Sequence, residues 1–162
     1  MGDGGFGFFD KRWFRPSKDG GFDVAVPSGV RAMLADMMSD LDELLSSDNA
    51  NVRRVFPTAY PDDAEKEAGY QALVRGELID RHRQSAELIA ETVEADHLTE
   101  EQMNAWMTAC NALRLVFGTA LDVSEDDSPS IDPDDPDAAA RVAYRVLTEI
   151  VDDIVQALST TL

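Results

Sequence analysis

Thr99, Gln102 and the apolar residues that follow them constrain this chain more than any other stretch. Thr99 with Gln three residues later forms a capping box, in which each side chain satisfies a backbone N–H that the first helical turn leaves unpaired. Met103, Trp106, Met107, Cys110, Leu113 and Phe117 then recur at helical spacing on one broad face. The spacing predicts a core helix that ends near Asp122, where Gly118 either terminates it or lets a neighbouring element come close.

The same periodicity predicts the other elements. Ser28 is placed to cap a helix running to about Leu45, with Val30, Leu34, Met37, Leu41 and Leu44 inward and Asp36, Asp40 and Asp42 solvated. Val52 to Phe56 reads as one short turn. Behind Pro61, Asp62 and Glu65 are spaced as cap and third residue of a helical pattern from Ala64 to about Ala95. Gly69 and Gly76 leave open whether this is one bent helix or two. Its clearer part sets Ile79, His82, Ala86, Ile89 and Val93 on one stripe. Pro136 and Asp137 open a last helix with Val142, Val146, Ile150, Ile154 and Leu158 inward. Near the start, Lys11–Arg15 and Phe22–Val26 flank the turn-forming Pro16–Gly21, and Phe22, Val24 and Val26 alternate as a half-buried strand does. The expected fold is mainly α, a single-domain helical bundle of about five helices over 11–162 with a small N-terminal β-hairpin. A glycine-rich flexible tail at 1–10 precedes it, and an acidic, proline-rich loop at 122–137 interrupts it.

Composition enters where it excludes functions. The chain has 162 residues with 32 acidic against 14 basic, a net charge of −18. Duplex-binding domains gather cations to release counterions from phosphates, so direct nucleic-acid binding is not expected. The acid serves solubility or a salty cytoplasm, or it attracts a basic partner protein, and these readings are compatible. The only basic and aromatic cluster runs from Lys11 to Lys18. It could pair charge with base stacking, but arginines on the solvent face of a hairpin whose Trp13 covers the core explain it more simply. One cysteine excludes an intrachain disulfide and fits a cytoplasmic location, and no segment approaches the roughly 20 apolar residues a bilayer requires.

Few residues carry chemistry. His82 lacks the companion histidine or cysteine of a metal site and reads as a hydrogen-bonded residue at the core edge, with His97 in a loop. The acidic run after Asp122 fails the EF-hand pattern, because Asp137 falls where that loop needs glycine and Ala143 where it needs the closing Glu. Cys110, mid-helix on the apolar face, reads as a small hydrophobe, and as the single thiol it is the candidate redox residue. Arg114, beside Asn111, either binds an anionic ligand through its planar fork or pairs with an acid of a neighbouring helix. No nucleophile, base and oxyanion donor stand at recognisable spacing, so no catalytic residue, metal or cofactor is assigned and the chain is expected to be non-enzymatic. A deep pocket lined by Arg114, His82 and carboxylates would reverse that reading.

Arg12-Trp13 ahead of Gly20-Gly21, then Phe56-Pro-x-Ala-Tyr-x-Asp-Asp63 and Trp106-x-x-x-x-Asn-x-Leu-Arg-Leu-Val-x-Gly-Thr119, resemble an actinobacterial family. It is domain-of-unknown-function family 2017, whose members are described as AosR-like oxidative stress transcriptional regulators. The resemblance spans most of Trp13 to Leu158, with Leu113 to Thr119 its most specific part, and it marks Asn111, Arg114 and Thr119 as family-motif polar residues. It implies a regulatory or sulfur-linked role, since the family's genes commonly lie near a protease adaptor and a cysteine-synthesis pathway, and it supplies no catalytic residues. Redox sensing in the family is attributed to a disulfide within the protein, which a chain with Cys110 alone cannot form. The expectation that follows is a regulator acting through a protein partner such as a sigma factor or RNA polymerase, or else a structural or adaptor module that forms a homodimer through its helices and has no role in transcription.

Overall fold

The computed structural model describes residues 12–46, 52, 55–123 and 131–161. Strands β1 (Phe14–Pro16) and β2 (Phe22–Val24) pair antiparallel, with Phe14 opposite Val24 and Pro16 opposite Phe22. The turn between them uses two left-handed residues, Gly20 (φ +89°) and Gly21 (φ +69°), which have no Cβ to clash. At Gly21 a Cβ would also stand 2.5 Å from His97 Nε2 and 2.7 Å from the Leu98 carbonyl oxygen. His97 and Leu98 form β3 (His97–Leu98), antiparallel to β2. This corrects the loop expected at His97 and extends the hairpin to three strands. Two residues are too few to show alternation, yet they fill the unpaired edge of β2. The pleat sends Phe14, Phe22, Val24 and Leu98 inward and Arg15, Asp23 and His97 to solvent.

The helices number four among the described residues, not about five: α1 (Ser28–Ser46), α2 (Ala64–Thr92), α3 (Glu100–Ala120) and α4 (Ala138–Ser159). Gly69 and Gly76 do not divide α2, because neither adopts the left-handed conformation that ends a helix. Its cap is Asp63, one residue later than expected. The Asp63 carboxylate accepts from the Lys66 N–H at 3.0 Å, and Glu67 reaches back to the N–H groups of Ala59 and Tyr60. The hydrogen bonds from Gln71 and from those N–H groups hold the Glu67 pKa below its ordinary value. The capping box of α3 is present, with Gln102 N–H to Thr99 Oγ1 at 3.2 Å and Thr99 N–H to Gln102 Oε1 at 2.9 Å. α3 ends with Asp122 at φ +52°, the Asp122 N–H on Thr119 O and the Val123 N–H on Gly118 O, the paired bonds of a Schellman stop. At α4 it is Asp135 that gathers the partners, the Asp137 N–H and Arg141 Nε, each at 2.9 Å.

Helix α3 is the centre, flanked by α4 and α2, while α1 closes against α2 and β1 leans on α4. Met103, Trp106, Cys110 and Leu113 are fully buried. Trp106 meets Phe14 edge-on at 5.8 Å and donates its indole N–H to Thr92 Oγ1 at 2.8 Å, and Thr92 passes a hydrogen bond to Leu88 O. The inward stripe of α1 is Arg31, Leu34, Met38, Leu41 and Leu45, one position on from the expected Val30, Met37 and Leu44. Arg31 sets that phase. Its guanidinium donates to the carbonyls of Val26 at 2.8 Å, Val93 at 2.9 Å and Ala95 at 2.7 Å, binding α1 to the end of β2 and the α2–β3 turn. On α4, Ile150 and Ile154 are buried as expected and Val146 and Leu158 are partly buried against the core, but Ala143, Leu147, Val151 and Ala157 complete the buried stripe and Val142 is 47% exposed.

The Val52 carbonyl accepts from the Val55 and Phe56 N–H groups, which is the expected short turn. The tail at 1–10, the helix break at 47–51 and positions 124–130 of the acidic loop lie outside the described residues.

Candidate protein-binding groove

Val142 leaves the core and Val146 is only partly buried against it, because α4 is apolar on two sides and the side carrying Leu147 and Ile150 is the one fully buried. The second side forms the wall of a groove of about 390 Å³, closed opposite by Arg12 and Trp13 at the head of β1 and by Ile131. Asp153, also in the lining, fixes that geometry: its Oδ2 accepts the backbone N–H groups of Trp13 at 2.5 Å and Phe14 at 3.0 Å, pinning β1 along the helix. Glu149 and Asp152 continue the α4 wall. Along the helix the groove wall carries apolar Val142 and Val146, with Arg145 between them in sequence, and then the acidic residues. Its described lining contains no serine, cysteine, histidine or lysine. The lining sets apolar side chains beside carboxylates and the side chains of Arg12 and Arg145.

The residues singled out in the sequence lie elsewhere. Cys110 is fully buried on α3, and burial pushes its thiol pKa up to about 12, so the nucleophilic thiolate is scarce at neutral pH. Arg114 donates through Nη2 to Asn111 Oδ1 at 2.7 Å, one turn back on its own helix, and the expected acidic partner from a neighbouring helix is not found among the described residues. Thr119 is buried and donates to Leu115 O at 2.8 Å. His82 does sit at the core edge, but its Nδ1 has no hydrogen-bond partner among the described residues, which corrects the hydrogen-bonded reading. Burial, and then the charge of Arg81, lower its pKa. Neither Arg114 nor His82 lines the groove, and no group of three potential metal ligands is assembled among the described residues. The basic and aromatic run is split: Arg12 turns to the groove, Trp13 lines it while packing against the core as expected, Phe14 is buried in the core and Arg15 faces solvent beside Asp23. Lys11 lies outside the described residues. No described helix is long and apolar enough to cross a membrane.

Sequence reasoning missed Asp153, because one carboxylate among many on an acidic helix carries no mark of its backbone partners. It missed the burial of Arg31 too, although the phase of Leu34, Met38, Leu41 and Leu45 extrapolates back to position 31. A sequence profile of the family described as domain of unknown function (DUF2017) matches residues 11–158. The chain belongs to the DUF2017 family. This DUF2017 chain is similar to the oxidative stress regulator AosR of Mycobacterium tuberculosis, 30% identical over 124 residues, which are 66% of the chain and 57% of that protein. The protein of the same name from Mycobacterium bovis aligns to the same extent. A Mycobacterium leprae relative with a provisional form of the name is 28% identical over 131 residues, 70% of the chain and 60% of its own length. The chain thus spans about three fifths of the length of the curated relatives it matches. No solved structure matches it.

Proposed function

We propose that this DUF2017 protein is a non-enzymatic regulatory binding protein that acts through protein contacts, with the groove between α4 and β1 as the receiving surface. The observation that carries this reading is a lining that joins apolar Val142 and Val146 to the carboxylates of Glu149 and Asp152, with Arg12 and Arg145 beside them. Such a surface suits a partner segment with an apolar anchor followed by a basic residue. The net charge of −18 points the same way, since it speeds encounter with a basic protein and opposes extended contact with phosphates. The regulator names of the mycobacterial relatives support a regulatory role. A sigma factor or RNA polymerase subunit is the partner that joins such a role to a chain unsuited to holding DNA itself.

The test is affinity purification of the tagged protein from its own cells, wild type beside Val142→Asp/Val146→Asp and Glu149→Lys/Asp152→Lys, with circular dichroism confirming that each variant folds. Wild type is expected to recover a sigma factor or polymerase subunit and both groove variants to lose it. Equal recovery by all three would reject the groove. Recovery of no transcription protein by wild type would reject the regulator in favour of an adaptor that dimerises through its helices.

A further inference from the structure

The outer half of α2 carries two costs that nothing within the described fold explains. Glycine in a helix interior is less favourable than alanine by about 1 kcal/mol. Gly69 and Gly76 both sit there, yet a Cβ at either would meet nothing within 4 Å, and neither has a positive φ. No contact inside the described chain needs the missing side chains. Between them on the same face lie Ala72 and Leu73, and Leu73 is 79% exposed. Gly69, Ala72, Leu73 and Gly76 follow the i, i+3, i+4, i+7 spacing of one helix face, so a projecting leucine stands between two notches. The opposite face is half-buried and turned inward, with Arg75 4.7 Å over the Phe56 ring.

The charges around this face specify an occupant. Ala68 to Val74 is free of charge in a chain of net −18, which lowers the repulsion between two copies that meet there. Lys66 and Asp80 stand equally far from Leu73 on either side, as do Glu65 and Arg81, and all four are exposed. An antiparallel pairing of two α2 helices about a two-fold axis at Leu73 therefore sets Lys66 of one copy opposite Asp80 of the other, and Glu65 opposite Arg81. A parallel pairing would set like against like. Among the described residues Asp80 pairs with Arg83 at 3.3 Å, and Arg83 bonds Asp42 more closely, at 2.7 Å, so Asp80 retains acceptor capacity. We infer that α2 self-associates as an antiparallel homodimer through Gly69, Ala72, Leu73 and Gly76, the two Leu73 side chains meeting at the axis and the flanking glycines letting the helices approach. One helix face per copy places the interface at the small, reversible end of the range.

Sedimentation equilibrium of the full chain tests this, at moderate salt to screen the net repulsion. The mass is expected to rise with concentration from 17.8 kDa toward twice that value. Leu73→Glu is expected to weaken the dimer by roughly a hundredfold, the effect of removing a central anchor. Lys66→Asp and Asp80→Lys alone are each expected to weaken association, and the double exchange to restore it, which neither a folding defect nor a different interface would reproduce. A monomer at every concentration, a dimer indifferent to Leu73→Glu, or a double exchange that fails to recover association would each overturn the inference.

Discussion

The two halves of α2 are one helix with two different fates. From Ser85 onward it buries Ser85, Ala86 and Ile89, and Thr92 accepts the Trp106 indole N–H. From Ala64 to Gln84 it buries no residue, and Leu73 and Tyr60 stand exposed on or beside it. Both halves are helical because the Asp63 cap, the acidic first turn and a run of good helix formers act locally. The inner half is held by buried side chains, whereas the outer half rests on the fold only through partly buried or exposed ones, Leu78 and Ile79 against the core, Arg75 over Phe56 and Arg83 on Asp42. Local propensity can thus carry a helix past the core it serves, and the extension is surface available for association. α4 shows the milder version, with one apolar side on α3 and the other in the groove.

The contrast breaks most severely at its inner end. Trp106→Ala removes a fully buried ring and leaves Thr92 and Phe14 without their partner, and urea denaturation is expected to show a loss of about 3–5 kcal/mol. Arg31→Met leaves the carbonyls of Val26, Val93 and Ala95 without their donor and is expected to cost about 3 kcal/mol by the same measurement. At the outer end the sign reverses. Gly69→Ala and Gly76→Ala, measured in dilute solution, are each expected to raise monomer stability by up to about 1 kcal/mol, while the added Cβ groups weaken self-association.

His82 marks the boundary and has a pH signature. Its folded pKa lies below the ordinary 6.5, so between the two values the unfolded chain binds more protons than the folded one. The stability His82 contributes is therefore present above 6.5 and is lost as pH falls through the folded pKa. Denaturation midpoints followed downward from neutral pH are expected to decline, and His82→Leu to flatten that decline. The smallest effect belongs to Leu73→Ser, expected to change dilute monomer stability by less than about 0.5 kcal/mol; a larger loss would mean that the outward face of the outer half is packed after all.

The elements were legible wherever a local rule fixes them. Thr99 and Gln102 located α3, Gly20 and Gly21 the hairpin turn, and the alternation from Phe22 to Val26 the buried face of β2. Phase was harder to read where a helix has apolar residues on neighbouring sides. On α1 Val30 stays partly buried against the core, but three carbonyls from other parts of the chain draw Arg31 into the buried stripe beside it. On α4, Val142 and Val146 compete with Leu147 and Val151, and only the position of α3 chooses between them. The groove was illegible for the same reason, because it joins Arg12 and Trp13 to residues far along the chain. The polar residues that did stand out in the sequence, Asn111, Arg114 and Thr119, satisfy one another or their own helix. Cys110 likewise reads from sequence as a small hydrophobe and is packed as one.

Native-state hydrogen exchange along α2 tests the division most directly, because amides open with free energies set by the contacts holding them. In dilute solution, amides of Ser85–Thr92 are expected to exchange near the rate of global unfolding. Those of Ala64–Gln84 should exchange much faster and become slower as concentration rises. Uniform slow exchange over the whole helix in dilute solution would contradict the account, since it would show the outer half to be as firmly held by the fold as the inner.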